Sequence, residues 1–153
     1  MSVVNAQFSI ERNYNCSPSQ AFKGFSDPEL KRQWFANPAG WPDPIWELDF
    51  RVGGGEVSGN RSPDGMKALF RSTFHDIVEN ERIVFAYDLI LDDRLTSVSL
   101  TTVEFFGEEG GTRLLFTEQG AFFDGLDDPA EREHGTGKLL DALGEFLGSG
   151  AMR

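Results

Sequence analysis

The chain has 153 residues, with 25 acidic against 14 basic side chains and a formal net charge of −11 at pH 7. This balance argues against binding to nucleic acid or to anionic membrane surfaces, because both require clustered lysine and arginine. The length is typical of one domain over residues 1–153, and a single cysteine, Cys16, can form neither an intramolecular disulfide nor a multi-cysteine metal site.

The chain begins with a predicted strand over residues 6–14, where polar and apolar side chains alternate. Two short helices are predicted next, at 18–25 and 28–35, because a capping serine or aspartate precedes a proline at the first helical position of each. Residues 37–44 are predicted to form a loop, since their prolines lack backbone donors and fix φ.

The middle of the chain predicts strands, because apolar residues recur there largely with a period of two. Turn signals separate the strands, and the clearest of these is the Ser-Pro-Asp-Gly sequence at 62–65. The predicted strands lie at 46–50, 56–60, 67–78, 82–91, 95–106 and 112–119.

A final helix is predicted to begin at Asp128-Pro129 and to run to the C-terminus. Its apolar residues share one stripe, which must be buried against the sheet: Leu139, Leu140, Leu143, Phe146 and Leu147. The resulting order, β-α-α-β6-α, predicts an α+β fold with an antiparallel sheet closed by one long helix.

Segments in this order resemble the family of Hsp90-ATPase-activator-like domains, within the START/Bet v 1-like (SRPBCC) superfamily. The segments are DFRVGG at 49–54, ERIVFAY at 81–87 and GTRL at 111–114 leading to TEQG at 117–120. The resemblance extends from Phe8 to Leu147. It implies a helix-grip fold, in which a curved antiparallel sheet surrounds a long C-terminal helix, with two short helices closing one end and a cavity between them.

The resemblance places this cavity between the concave face of the sheet and the C-terminal helix. Such a cavity would suit an apolar or aromatic ligand held by a few polar groups. The aromatic candidates for its walls are Trp34, Phe35, Trp46, Phe70, Phe74, Phe85, Tyr87, Phe105, Phe116, Phe122 and Phe123. An alternative interpretation is that these rings only fill the core.

Glu118 is the one ionisable candidate for the cavity. It shares strand parity with Leu114 and Phe116, so its carboxylate points inward if that face is the core, where desolvation would raise its pKa. It would then be an acid, a base or a ligand anchor. Alternatively, the strand ends or bulges before Gly120, and Glu118 lies at the rim.

No catalytic, metal or cofactor site is predicted from the remaining residues. His75 has the opposite strand parity to Phe74, and His134 lies on the polar side of the final helix, so the two histidines of the chain are expected to be apart and solvated. The sequence GTGK at 135–138 is unlike a phosphate loop, because Leu139 stands where serine or threonine would bind Mg²⁺.

Glycines and aromatics near the final helix suggest two further features. Residues 119–128 are predicted to form a loop, in which the adjacent Phe122 and Phe123 either act as a lid or form a small apolar cluster. Gly137 and Gly144 are expected either to allow close approach of helix and sheet or to leave volume for a ligand.

The leading functional hypothesis is therefore a domain that binds a small apolar or aromatic ligand. A cyclase- or hydrolase-type enzyme using Glu118 is the second. An Hsp90 co-chaperone ranks last, since the chain lacks room for the additional N-terminal domain of established activators.

The free cysteine, and the lack of a signal segment or a bilayer-spanning apolar run, predict a cytoplasmic protein without membrane insertion. Trp41 and an exposed sheet edge are compatible with a homodimer.

Overall fold

A seven-stranded antiparallel sheet with the strand order β1-β7-β6-β5-β4-β3-β2 forms most of the molecule. The structure is a computed structural model that describes residues 2–35, 45–61 and 64–149, without the side chain of Asn60. Its elements are β1 (Val3–Tyr14), α1 (Pro18–Ser26), α2 (Pro28–Trp34), β2 (Ile45–Leu48), β3 (Gly55–Arg61), β4 (Lys67–Val78), β5 (Arg82–Leu91), β6 (Arg94–Glu108), β7 (Gly111–Phe123) and α3 (Pro129–Gly148). The predicted element order and helix-grip α+β fold are confirmed.

The predicted capping residues begin the helices. Ser17 forms a full capping box with Gln20 at the start of α1. Asp27 has two roles, because its backbone N–H donates to the carbonyl of Lys23 at the end of α1 while its side chain accepts from the first amides of α2. Asp128 caps α3 in the same manner. Each cap satisfies helix-terminal amides that would otherwise lack intrahelical partners.

The two short helices are further joined by a side-chain hydrogen bond. Trp34 Nε1 of α2 donates to the carbonyl oxygen of Gly24 in α1 at 2.9 Å. The Phe25 ring lies edge-on to Trp34, with 4.9 Å between centroids. Helix α1 in turn contacts β6, where the centroids of Phe25 and Phe105 are 5.6 Å apart. Through these contacts, α1 and α2 form one packed helix pair against the sheet.

The predicted loop at 119–128 is wrong over its first five residues. Strand β7 continues to Phe123 because it has a partner on both sides, with Val3 of β1 opposite Phe123 and Ser97 of β6 opposite Phe122. A Cβ at position 120 would lie 2.8 Å from Ser99 Oγ, so a larger residue there would displace that side chain. Phe122 and Phe123 are strand residues and not parts of a loop lid.

Some predictions fall on residues outside the described ranges. The proline-rich loop at 37–44, with Trp41, is outside them, and so are Ser62 and Pro63 of the predicted turn. Gly65 of that turn is described and has a φ of 94°, which suits glycine.

Helix α3 lies against β1 through a close contact between a glycine and an aromatic ring. The hydroxyl of Tyr14 donates to the carbonyl oxygen of Leu140 at 2.8 Å. A Cβ at Gly144 would lie 3.0 Å from a ring carbon of Tyr14, and one at Gly137 would lie 3.2 Å from Arg12 Nη2. These two glycines therefore allow the helix to approach the sheet, which was one of the two predicted roles.

Two glycine substitutions in α3 should have opposite effects on stability. Gly135→Ala should raise the free energy of unfolding by up to about 1 kcal/mol, because alanine favours the helix and nothing lies within 4 Å of the new methyl group. Gly144→Ala should lower it despite the same helical preference, because Tyr14 is held in place and the contact is overpacked. Urea denaturation measures both, and an equal gain for the two variants would contradict this packing.

Candidate functional site

A cavity of about 330 Å³ lies between the sheet and the helices α2 and α3. Most of its walls are aromatic or aliphatic side chains, and charged groups lie at both ends. The lining residues are Phe25, Lys31, Trp34, Phe35, Phe70, Phe85, Tyr87, Leu89, Phe116, Glu118, Asp127, Glu131, Arg132, Gly135, Thr136, Leu139 and Leu140. Its position is the one expected from the helix-grip fold.

The structure brings together only part of the predicted set around this cavity. The candidates that line it are Trp34, Phe35, Phe70, Phe85, Tyr87, Phe116 and Glu118. The candidates that do not line it are Trp46, Phe74, Phe105, Phe122 and Phe123. Strand parity identifies the face on which a side chain lies but not its position along the strand, and this is why the set was too large.

The excluded aromatics have identifiable places. Phe74 packs against Phe50 with 5.0 Å between ring centroids, and Phe105 packs against rings of α1, so both belong to the core beyond the cavity. Phe122 is buried beneath the guanidinium of Arg132, which lies 5.0 Å from its ring centroid. Trp46 contacts Phe35 from β2, and Phe123 is half-buried at the end of β7.

Glu118 points inward and is only 2% exposed, so the alternative that placed it at the rim is wrong. Because β7 continues past Gly120, the alternation that buries Leu114 and Phe116 also buries Glu118. Tyr87 donates its hydroxyl to Glu118 Oε2 at 2.9 Å, and Thr101 donates to Oε1 at 3.1 Å. The carboxyl group is thus held by hydroxyls from two neighbouring strands.

Arg132 of α3 completes this polar end of the cavity. Its Nη1 donates to the Tyr87 hydroxyl at 2.8 Å and lies 3.6 Å from Glu118 Oε2, while its Nη2 donates to Ser97 at 2.7 Å and also to Asp127. The sequence reasoning missed this residue. The available signal was that Arg132 precedes Thr136 and Leu140 at helical spacing, so it continues the apolar stripe as a charged residue.

Burial dominates the electrostatics of this cluster. It raises the pKa of Glu118, and the nearby Arg132 guanidinium opposes that rise only in part. Burial also raises the pKa of Tyr87, and the adjacent Glu118 raises it further. Tyr87 therefore stays a neutral hydrogen-bond donor, and Glu118 is a carboxyl group that accepts a proton more readily than one in water.

A second buried charge pair lies at the α2 end of the cavity and was not predicted. Lys31 Nζ donates to Glu56 Oε1 at 2.5 Å, and the side chains are 4% and 1% exposed. The ammonium group lies 4.6 Å from the centroid of the Phe35 ring. Burial raises the pKa of Glu56 above its ordinary value of 4.5, against the opposing effect of Lys31. Within the described residues, Glu56 Oε2 and Ser72 Oγ have no hydrogen-bond partner.

The histidines lie apart from the cavity, on exposed positions of β4 and α3. Over residues 2–35, 45–61 and 64–149, no group of three or more histidine, cysteine or acidic side chains is arranged to hold a metal ion. In the same part of the chain, no helix is both long and apolar enough to cross a membrane.

The comparisons with known proteins agree with this architecture. The family model described as "Activator of Hsp90 ATPase homolog 1-like protein" matches residues 15–148. An uncharacterized protein from Rhizobium leguminosarum is 42% identical, with a TM-score of 0.91 over 95% of this chain and 96% of that one. The Mll3558 protein from Rhizobium loti is 44% identical, with a TM-score of 0.89 over 95% and 99%.

A more distant structure shares the fold alone. The AHSA1-like protein from Aeromonas hydrophila is 21% identical, with a TM-score of 0.69 over 97% of this chain and 96% of that one. No curated protein matches the sequence.

Removal of one member of the second charge pair should make stability depend on pH. Lys31→Met should lower the free energy of unfolding at pH 7 by about 3–5 kcal/mol, because it leaves Glu56 buried without its cation. The folded pKa of Glu56 then lies above the unfolded value, so the folded state binds the proton more tightly. Stability should recover as the pH is lowered towards 4.5 and decline as it rises.

The matched control is the double variant Lys31→Met/Glu56→Met, which should recover most of the loss at pH 7. Urea denaturation at pH 5 and pH 8 measures all three proteins. If the single and double variants were equally unstable at both pH values, the pair would not be the source of the effect.

Proposed function

Because the chain belongs to the family of Activator of Hsp90 ATPase homolog 1-like proteins, we propose that it binds a small apolar or aromatic ligand between the sheet and α3. The observation that carries this proposal is the aromatic cavity of about 330 Å³, which lies within the usual range for ligand sites. A core formed only to stabilise the fold would be packed to near-crystalline density. A space of this size is consistent with room for a ligand.

The walls favour a ring-shaped ligand. The ring centroids of Phe70 and Tyr87 are 4.6 Å apart, and those of Phe85 and Tyr87 are 6.1 Å apart. Three neighbouring rings therefore form the sheet side of the cavity. Leu139 and Leu140 of α3 face the same space. Rings and methyl groups in these positions can contact both faces of a flat apolar molecule, which is the usual source of affinity in such pockets.

A second candidate function is a cyclase- or hydrolase-type enzyme. One observation favours it, namely that Glu118 is an ionisable group inside the cavity with a raised pKa and an adjacent Tyr87 hydroxyl. Such a carboxyl group keeps its proton at a higher pH than a carboxyl group in water, which suits a role as a general acid or base. An Hsp90-like partner, a homodimer and a cytoplasmic location remain hypotheses, and none of the cavity contacts bears on them.

A bulky side chain introduced on α3 at the cavity lining should weaken binding without weakening the fold. Gly135 lines the cavity and Gly148 does not, yet both are in α3 and neither has an atom within 4 Å of a built Cβ. Gly135→Leu should therefore weaken binding of the neutral fluorescent probe N-phenyl-1-naphthylamine at least tenfold, or about 1.4 kcal/mol. Gly148→Leu should bind like the wild type.

Fluorescence titration measures the probe, and thermal denaturation checks that both variants are folded. Native mass spectrometry of freshly purified protein would identify any copurified small molecule. If both leucine variants bound the probe as tightly as the wild type, the probe would bind outside this cavity. If the wild type showed no saturable binding, the proposed function would be contradicted.

A further inference from the structure

The α3 end of the cavity is a polar recess beside the aromatic walls. Glu118 lines it from β7, Tyr87 from β5, and Arg132 from α3. Glu118 has 2% of its surface exposed, and the side chain of Arg132 has 10%. A ligand group that enters this recess is therefore removed from water and must be matched by these side chains.

Hydrogen bonds within the recess use the Tyr87 and Thr101 hydroxyls and the terminal nitrogens of Arg132 as donors, and they leave acceptor capacity on Glu118. The Tyr87 and Thr101 hydroxyls both donate to Glu118, and each terminal nitrogen of Arg132 already donates to oxygen atoms of the protein. A carboxylate has about four acceptor positions over its two oxygens, and these hydroxyls occupy one on each oxygen. A ligand that donates a hydrogen bond can thus be accommodated by Glu118.

The charges of the recess oppose an anionic ligand. Around it lie the carboxyl groups of Glu118, Asp127 and Glu131 and one guanidinium, that of Arg132. Lys31 at the other end is already paired with Glu56. The chain as a whole has a net charge of −11, so neither the local nor the long-range field attracts a carboxylate or phosphate.

A cationic ligand is opposed by a different contact. Arg132 Nη1 lies 3.6 Å from Glu118 Oε2, so an ammonium group on that carboxylate would lie beside an existing positive charge. An uncharged donor avoids both conflicts.

On the basis of the function proposed above, we propose that this recess selects ligands through a neutral hydroxyl group, which donates a hydrogen bond to Glu118, and rejects carboxylates of the same shape. The ligand class is therefore an aromatic or polycyclic alcohol, such as a phenol, with its apolar body over Phe70, Phe85 and Phe116.

The test is competition for N-phenyl-1-naphthylamine by three naphthalenes of similar size. These are 2-naphthol, which donates a hydrogen bond, 2-methoxynaphthalene, which cannot donate one, and 2-naphthoate, which is anionic. The naphthol should compete about tenfold more strongly than the ether, as expected for a net hydrogen bond to the Glu118 carboxyl group. The naphthoate should compete more weakly than either.

Two variants test whether Glu118 is the source of the preference for the naphthol over the ether. Glu118→Gln should reduce the naphthol-to-ether ratio to near one while the ether still binds. Glu133→Gln is the matched control, because Glu133 is an exposed carboxyl group of α3 that does not line the cavity, and the ratio should persist in it.

A measurement on the wild type avoids dependence on how well Glu118→Gln folds. The groups around Glu118 are Tyr87 and Thr101 on the sheet, Arg132 and Glu131 on α3, Asp127 before it, and Lys31 across the cavity. Because burial raises the pKa of Glu118, its carboxyl group takes up a proton at a higher pH than one in water, so the naphthol preference should fall as the pH is lowered from 8 to 5.

The outcomes separate this inference from the function on which it rests. Equal competition by the naphthol and the ether would overturn the inference and leave the apolar cavity intact. Preferred binding of the naphthoate, or a naphthol preference that grows as the pH falls, would also overturn it. If N-phenyl-1-naphthylamine and all three naphthalenes failed to bind, the proposed function would fall and this inference with it.

Discussion

The position of α3 over the sheet depends on contacts at three places along the helix. Towards its C-terminus, Gly144 lies against the ring of Tyr14, whose hydroxyl bonds to the helix backbone. At the first turn, Arg132 bonds to side chains of β5 and β6. Between these points, Arg12 of β1 forms an ion pair with Asp141 at 2.8 Å and lies against Gly137. The cavity is lined by the helix face that carries Arg132, Thr136 and Leu140.

Both ends of that space contain buried charge, which is an unusual choice for an aromatic interior. Replacing a buried ion pair with apolar side chains of similar volume is often neutral or stabilising, so stability alone does not require Glu118–Arg132 or Lys31–Glu56. What such groups supply is directionality. Rings around Phe70 can hold an apolar body in several orientations, whereas a carboxyl group fixed by Tyr87 and Thr101 accepts a hydrogen bond from only a few directions.

The sequence was sufficient for those features that arise from local rules. Capping at Ser17, Asp27 and Asp128 located three helix starts, and alternation located every strand to within a few residues. The sequence was insufficient where tertiary contacts determine the end of a strand or the burial of a side chain. The end of β7 depends on pairing with β1 and β6, and the burial of Lys31 and Arg132 depends on which elements cover them. A charged residue on a surface helix is normally solvated, so only the assembled fold shows that these two lie against aromatic rings.

The shared cap at Asp27 has a mechanical consequence for the cavity. Since one residue ends α1 and begins α2, and Trp34 is bonded back to Gly24, the two helices resist independent displacement. Displacement of Trp34 by a bulky ligand would therefore also require Phe25 to move, and Phe25 is packed against Phe105 of β6. The α2 wall of the cavity is therefore braced by α1 and through it by β6, unlike a wall formed by a single free helix.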